Sequence, residues 1–173
     1  FRMIKIAMLR SENKPLSWLQ KQDRLFEFLS SDRQKKPIHH SVLAGRPCYW
    51  YHAEVPDENK DILIYFHGGG FVFGAGVLYQ RFCQLLADES QSSILLLDYR
   101  VAPEFQYPHG HDDCFNMTRQ LINEFPNRGF QLIGDSAGAN ILLACFQRLE
   151  QQNLSKQISR MILLSPWITP GQI

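Results

Sequence analysis

Gly134-Asp135-Ser136-Ala137-Gly138 places a serine between small residues at the G-x-S-x-G spacing of a nucleophile elbow. Such a serine sits on a very tight strand-to-helix turn, in a strained backbone conformation that projects its hydroxyl above a sheet. Small neighbours let strand and helix approach without collision. A helix starting behind the serine brings its positive dipole end to where negative charge would develop. Alone, the pentapeptide also fits a glycine-rich turn with no chemistry. Here an apolar run precedes it and an amphipathic segment follows it.

His67-Gly68-Gly69-Gly70 supplies what a serine nucleophile needs in addition. Acyl transfer passes through a tetrahedral oxyanion, which must be met by preorganised N–H donors. Glycines free the backbone to aim those donors and leave room for a substrate. The elbow offers Ala137 N–H, and the glycine loop offers Gly69 and Gly70. Two independent loops of the right type and order favour chemistry over two coincidental turns.

These loops must be held by a scaffold, and the hydrophobic pattern describes one. Ile62–Phe66, Ser93–Leu97, Phe130–Ile133 and Met161–Leu164 are continuous apolar runs, as expected of strands covered on both faces. Amphipathic segments at Leu78–Glu89, Asp112–Phe125 and Ala137–Gln151 alternate with them. That order predicts a mostly parallel sheet with helices on both faces. Ile38–Leu43 and Cys48–Glu54, joined by a turn at Ala44-Gly45-Arg46-Pro47, read as an antiparallel start, giving six strands. Lys14–Gln34 has helical spacing of Leu16, Trp18, Leu19, Leu25, Phe26 and Leu29, closed by Pro37. The chain thus divides into an N-terminal helical segment, 1–36, and an α/β core, 37–173. In such sheets chemistry gathers at the carboxyl ends of the strands, where the conspicuous loops fall.

His67-Gly68-Gly69-Gly70-Phe71, Asp98-Tyr99-Arg100-Val101-Ala102-Pro103-Glu104 and Gly134-Asp135-Ser136-Ala137-Gly138-Ala139-Asn140 together resemble the hormone-sensitive-lipase-like branch of the α/β-hydrolase esterases and lipases. The resemblance spans Ile62 to Trp167. It implies an α/β-hydrolase fold and hydrolysis of carboxylic esters through an acyl-enzyme, with no metal or organic cofactor. It casts Ser136 as the nucleophile and Gly69, Gly70 and Ala137 as oxyanion donors. His67 becomes an organiser of the oxyanion loop, supported by Gly68, Gly134 and Gly138, with Asp135 beside the nucleophile. Asp98–Glu104 packs and positions neighbouring loops. Residues 1–36 correspond to a cap-like segment.

A serine hydroxyl is a poor nucleophile without a base, and in this fold the acid and then the histidine follow the serine. No histidine and no aspartate follow Ser136. The only acidic residue there is Glu150, about 20 Å along the helix at 1.5 Å per residue, too far to serve. The family's acid follows a seventh strand and its histidine an eighth, so the chain reads as a hydrolase core truncated after about the sixth strand. His39, His40 and His52 read as edge or surface residues, while His109 and His111 fall on the catalytic side of the sheet. Truncation would leave the strand at 161–165 as an exposed edge through which the chain self-associates. The alternative function is a non-catalytic or inactive truncated hydrolase-fold protein that at most binds a small ligand.

Composition agrees with an ordinary globular core: 173 residues, 45% hydrophobic and 20% charged. A net charge of +1 gives no reason to expect nucleic acid as a partner. No stretch reaches 18 consecutive apolar residues, so no membrane span is expected. The expected partner is a small-molecule ester. Cys48, Cys83, Cys114 and Cys145 have neither zinc nor redox spacing. With no signal-peptide pattern at the start, they read as buried thiols of a cytoplasmic protein.

Overall fold

The structure is a computed structural model and describes residues 39–52 and 59–168. The helix read at Lys14–Gln34, and with it the segment 1–36, lies outside the described residues. Six strands form one sheet in the order β1-β2-β4-β3-β5-β6. They are β1 (His39–Leu43), β2 (Arg46–Tyr51), β3 (Ile62–Phe66), β4 (Ile94–Leu97), β5 (Phe130–Asp135) and β6 (Ile158–Leu164). The helices are α1 (Val77–Ser90), α2 (His109–Glu124) and α3 (Ser136–Gln151). β2 runs antiparallel to both β1 and β4, while β3 runs parallel to β4 and β5, and β5 parallel to β6.

The apolar runs are continuous because both faces of β3 and β4 are covered; every residue of both strands is buried. Successive side chains alternate between faces. Ile62, Ile64, Phe66, Leu95 and Leu97 pack with Cys114, Leu121, Ile141 and Leu142 of α2 and α3. Leu63, Tyr65, Ile94 and Leu96 pack with Cys83 and Ala87 of α1 on the other face. Full burial of a side chain of this size contributes about 2 kcal/mol. The two clusters pack helices against both faces of the sheet. The four cysteines are free and buried in these layers.

Some boundaries differ from the sequence reading. The first turn is only Ala44-Gly45, both left-handed (φ 49° and 75°), so Arg46 and Pro47 already belong to β2. Primed two-residue turns match strand twist, which lets the hairpin close tightly. α2 begins at His109 rather than Asp112, placing His109 and His111 in its first turn. β6 begins at Ile158 and pairs, among the described residues, with β5 alone. No helix among the described residues is long and apolar enough to cross a membrane.

Candidate active site

β5 ends at Asp135 and α3 begins at Ser136, with no residue between them. Ser136 takes a left-handed φ of 49°. A non-glycine residue held there costs about 1–3 kcal/mol and persists only where its surroundings impose it. Those surroundings are visible. A Cβ on Gly138 would run into the carbonyl oxygens of Phe66 and His67, and one on Gly134 would sit 3.0 Å from Ala139 Cα. Helix and strand are therefore pressed together at the turn. Ala137 and Ala139 are fully buried.

Asp135 occupies the N-cap position of α3 but makes no capping hydrogen bond. Its carboxylate is turned to the neighbouring loop instead. Oδ1 accepts the Gly68 N–H at 2.8 Å and the Tyr65 hydroxyl at 3.0 Å, and Oδ2 accepts the Tyr79 hydroxyl at 3.1 Å. Gly68 can approach this closely only without a side chain, because its Cβ would occupy the position of Asp135 Oδ2.

The loop after β3 continues with three left-handed residues, Gly69 (φ 105°), Gly70 (φ 62°) and Phe71 (φ 65°). Gly69 O accepts Val72 N–H at 3.1 Å and Phe73 N–H at 3.0 Å, and a Cβ on Gly69 would lie 2.8 Å from Phe73 Cβ. His67 is fully buried. Its ring stacks on Tyr99 at 4.0 Å and its Nδ1–H donates to Gly68 O at 2.8 Å. Nε2 is buried with no hydrogen-bond partner in the structure. Burial pushes its pKa down to about 4, against a small opposing contribution from Gly68. At neutral pH it is an uncharged ring holding its own loop.

The Asp98–Glu104 segment braces these loops from below. The Tyr99 hydroxyl donates to His67 O at 2.6 Å, and Ala102 N–H donates to Phe71 O at 2.8 Å. Arg100 grips Asp113 of α2 through Nε (2.8 Å) and Nη2 (2.6 Å). Burial works to raise the Asp113 pKa, but its bonds to Arg100 outweigh this and hold it below the usual carboxylate range. Asp98 accepts the Tyr49 hydroxyl at 2.9 Å, tying the segment to β2.

Two residues near the serine carry more of the arrangement than the sequence reading gave them. Trp167, after β6, donates its N–H to Ser136 O at 3.0 Å. Its ring lies 5.7 Å from that of Phe71 and 3.9 Å from where a Gly70 Cβ would sit. Asn140, one turn along α3, donates from Nδ2 to Trp167 O at 3.1 Å and accepts from His111 Nε2 at 3.3 Å. The available signal was positional, since both stand at the carboxyl end of the sheet beside the elbow.

No hydrogen bond joins an upstream histidine to the Ser136 hydroxyl among the described residues. His39 and His40 lie on β1, four strands from β5 in the sheet and so about 19 Å away at 4.8 Å per strand. His52 bonds Ser93 Oγ at 3.0 Å, just before β4 and hence at the amino end of the parallel strands. His109 Nδ1–H donates to Gln106 O at 2.7 Å. His111 commits its Nε2–H to Asn140, and burial lowers its pKa. Glu150 stands in the last turn of α3, at the far end from Ser136.

Comparison with known proteins agrees with this geometry. A family model described as the alpha/beta hydrolase fold matches residues 63–172. The chain is 30% identical over 127 residues to a versiconal hemiacetal acetate esterase of Emericella nidulans, covering 72% of this chain and 43% of that protein. It is 32% identical over 108 residues to an esterase of Acinetobacter venetianus, covering 62% of this chain and 35% of that protein. The chain thus spans less than half the length of these relatives. Among solved structures it resembles a hormone-sensitive lipase from a metagenome library (TM-score 0.76, 25% identity), covering 96% of this chain and 56% of that one. It also resembles EstE5 soaked with p-nitrophenyl butyrate (TM-score 0.77, 26% identity), covering 95% of this chain and 57% of that one.

Proposed function

The chain belongs to the hormone-sensitive-lipase-like esterases of the α/β-hydrolase fold, and from that premise we propose that it hydrolyses carboxylic esters through an acyl-enzyme on Ser136. Ser136 Oγ attacks the ester carbonyl and gives its proton to a base. The tetrahedral intermediate collapses, the C–O bond to the alcohol breaks, and the alcohol leaves with that proton. Water then releases the acid by the same steps in reverse order. Gly69, Gly70 and Ala137 N–H groups meet the oxyanion. His67 and Gly68 shape their loop, Asp135 anchors it, and Gly134 and Gly138 let the elbow close. No metal or organic cofactor takes part.

One observation carries this reading: Ser136 is strained at φ 49° while its neighbour Asp135 bonds the glycine loop. Such strain at a serine beside preorganised amides favours a nucleophile over an ordinary turn. Four free, buried thiols favour a cytoplasmic protein.

The second reading is a hydrolase-fold protein that binds a small ligand without turnover, favoured by the pairing of His111 Nε2–H with Asn140 rather than with Ser136. Hydrolysis of p-nitrophenyl butyrate by the natural protein, abolished in Ser136→Ala, separates the two. Saturable binding with no release of p-nitrophenol would establish the second.

A further inference from the structure

The bonds of Asn140 fix the state of a second side chain. Its Nδ2 donates to Trp167 O at 3.1 Å and to Ile168 O at 3.4 Å. Both partners are carbonyl oxygens, which only accept, so the amide nitrogen must face them. The amide oxygen is thereby turned to His111, with Oδ1 3.3 Å from Nε2. An amide oxygen cannot donate, so the proton between them sits on His111 Nε2. The neutral ring is the Nε2–H tautomer, and Nδ1 is its bare nitrogen.

The same ring backs the glycine loop. It stacks on Phe71 with centroids 6.0 Å apart and planes at 22°, and Tyr107 meets its edge at 5.1 Å. Phe71 in turn meets Trp167 at 5.7 Å, and Trp167 N–H returns to Ser136 O at 3.0 Å. These contacts close a circuit from His111 to Asn140, Trp167, Phe71 and back to His111. It ties the first turn of α2, the head of α3, the segment after β6 and the loop after β3.

The two sources of oxyanion donors lie on different members of this circuit. Ala137 stands on α3, and Gly69 and Gly70 on the loop. Glycines resist displacement poorly, so a loop built on them must be held at both ends. The Asp135 bond to Gly68 holds it before Gly69. After Gly70 it is held at Phe71, whose carbonyl accepts Ala102 N–H at 2.8 Å and whose ring meets His111 and Trp167.

We propose that His111 is a positioning residue for the oxyanion hole. Its Nε2–H sets the Asn140 amide, and through Trp167 and Phe71 it keeps the glycine loop in register with the elbow. His111 makes no bond to the Ser136 hydroxyl among the described residues. The proposal rests on the hydrolase reading for its effect on rate, and on the circuit alone for the proton on Nε2.

The test uses the natural protein and two variants that separate the donor from the ring. His111→Gln keeps an N–H donor and loses the ring; His111→Phe keeps a ring against Phe71 and loses the donor. With p-nitrophenyl butyrate, His111→Phe should lower kcat by about 10²-fold, the cost of a misplacement of about an ångström. KM should change little, because the oxyanion exists only on the way to products. His111→Gln should recover most of kcat. Wild-type kcat in His111→Phe overturns the proposal. So does a His111→Gln no better than His111→Phe, including loss of all turnover in both, which would make His111 the base. Nitrogen-15 spectra of the histidine rings in mildly alkaline buffer supply a readout independent of turnover. They should show His111 Nε2 protonated and its proton protected from exchange, with the protection lost in Asn140→Leu. A proton on Nδ1, or an unprotected Nε2 proton, also overturns the proposal. An inert wild-type protein that keeps the protected Nε2 proton would overturn the hydrolase reading, and with it the role in rate, while leaving the proton assignment standing.

Discussion

The Asp135 carboxylate accepts the Gly68 N–H across 2.8 Å, joining the residue before the serine to the loop that carries Gly69 and Gly70. A residue in the N-cap position that leaves its helix uncapped gives up about 1 kcal/mol of helix stability. The contact it makes instead couples the elbow to the oxyanion loop. Asp135→Ala should slow fluorophosphonate labelling of the natural protein by about 10²-fold, the usual cost of misplacing a reacting group by an ångström. Asp135→Asn keeps an acceptor oxygen for Gly68 and should restore most of the rate. Equal, small effects of both variants would show that the contact positions nothing.

Gly138→Ala tests how tightly the elbow is closed. The added methyl would enter the space of the Phe66 and His67 carbonyl oxygens, which are backbone and cannot swing away. Overpacking of this kind costs about 3 kcal/mol, and thermal unfolding should fall by about 10 °C for a chain of this size. An unchanged Tm would contradict the close approach of α3 to the end of β3.

Burial of His67 makes stability depend on pH. Its pKa falls from 6.5 to about 4 in the fold. Between these values the unfolded chain binds more protons than the folded one, so stability is full above about pH 6.5 and falls as pH drops toward 4. The loss from this residue is about 3 kcal/mol. His52 and His111, also lowered by burial, add slope of the same sign. The difference between wild type and His67→Asn isolates His67: denaturant titrations at pH 7 and pH 4.5 should show a smaller drop in the variant. Parallel drops would contradict an uncharged buried ring.

β6 presents Met161 at 38% and Leu164 at 40% exposure and pairs with β5 on one side only among the described residues. Open apolar strand edges add strands from other chains. The isolated 173-residue chain should elute from size-exclusion columns as a dimer or larger, and Met161→Lys should shift it toward monomer. A wild-type monomer at micromolar concentration would contradict association through this edge.

Much of this architecture was legible because local chemistry and global position agree. Ile62–Phe66 and Ile94–Leu97 are apolar throughout, which only a doubly covered strand requires, and the glycines at 68–70 and 138 mark close backbone approaches. Boundaries were less legible. His109 and His111 carry no helix-start signal, yet tertiary packing extends α2 back to Pro108, and Arg46-Pro47 pairs as strand despite its turn-like composition. The contacts of Asp135, Asn140 and Trp167 were hidden for a different reason. Each depends on two chain segments 27 to 70 residues apart meeting at one point, which no local pattern encodes.

Intact-mass and peptide analysis of the natural protein after fluorophosphonate treatment tests Ser136 most directly. The expected result is a single adduct, located on Ser136 within the tryptic peptide Gly129–Arg148 and absent from Ser136→Ala. An untouched Ser136, or an adduct on another serine, would contradict its assignment as the nucleophile.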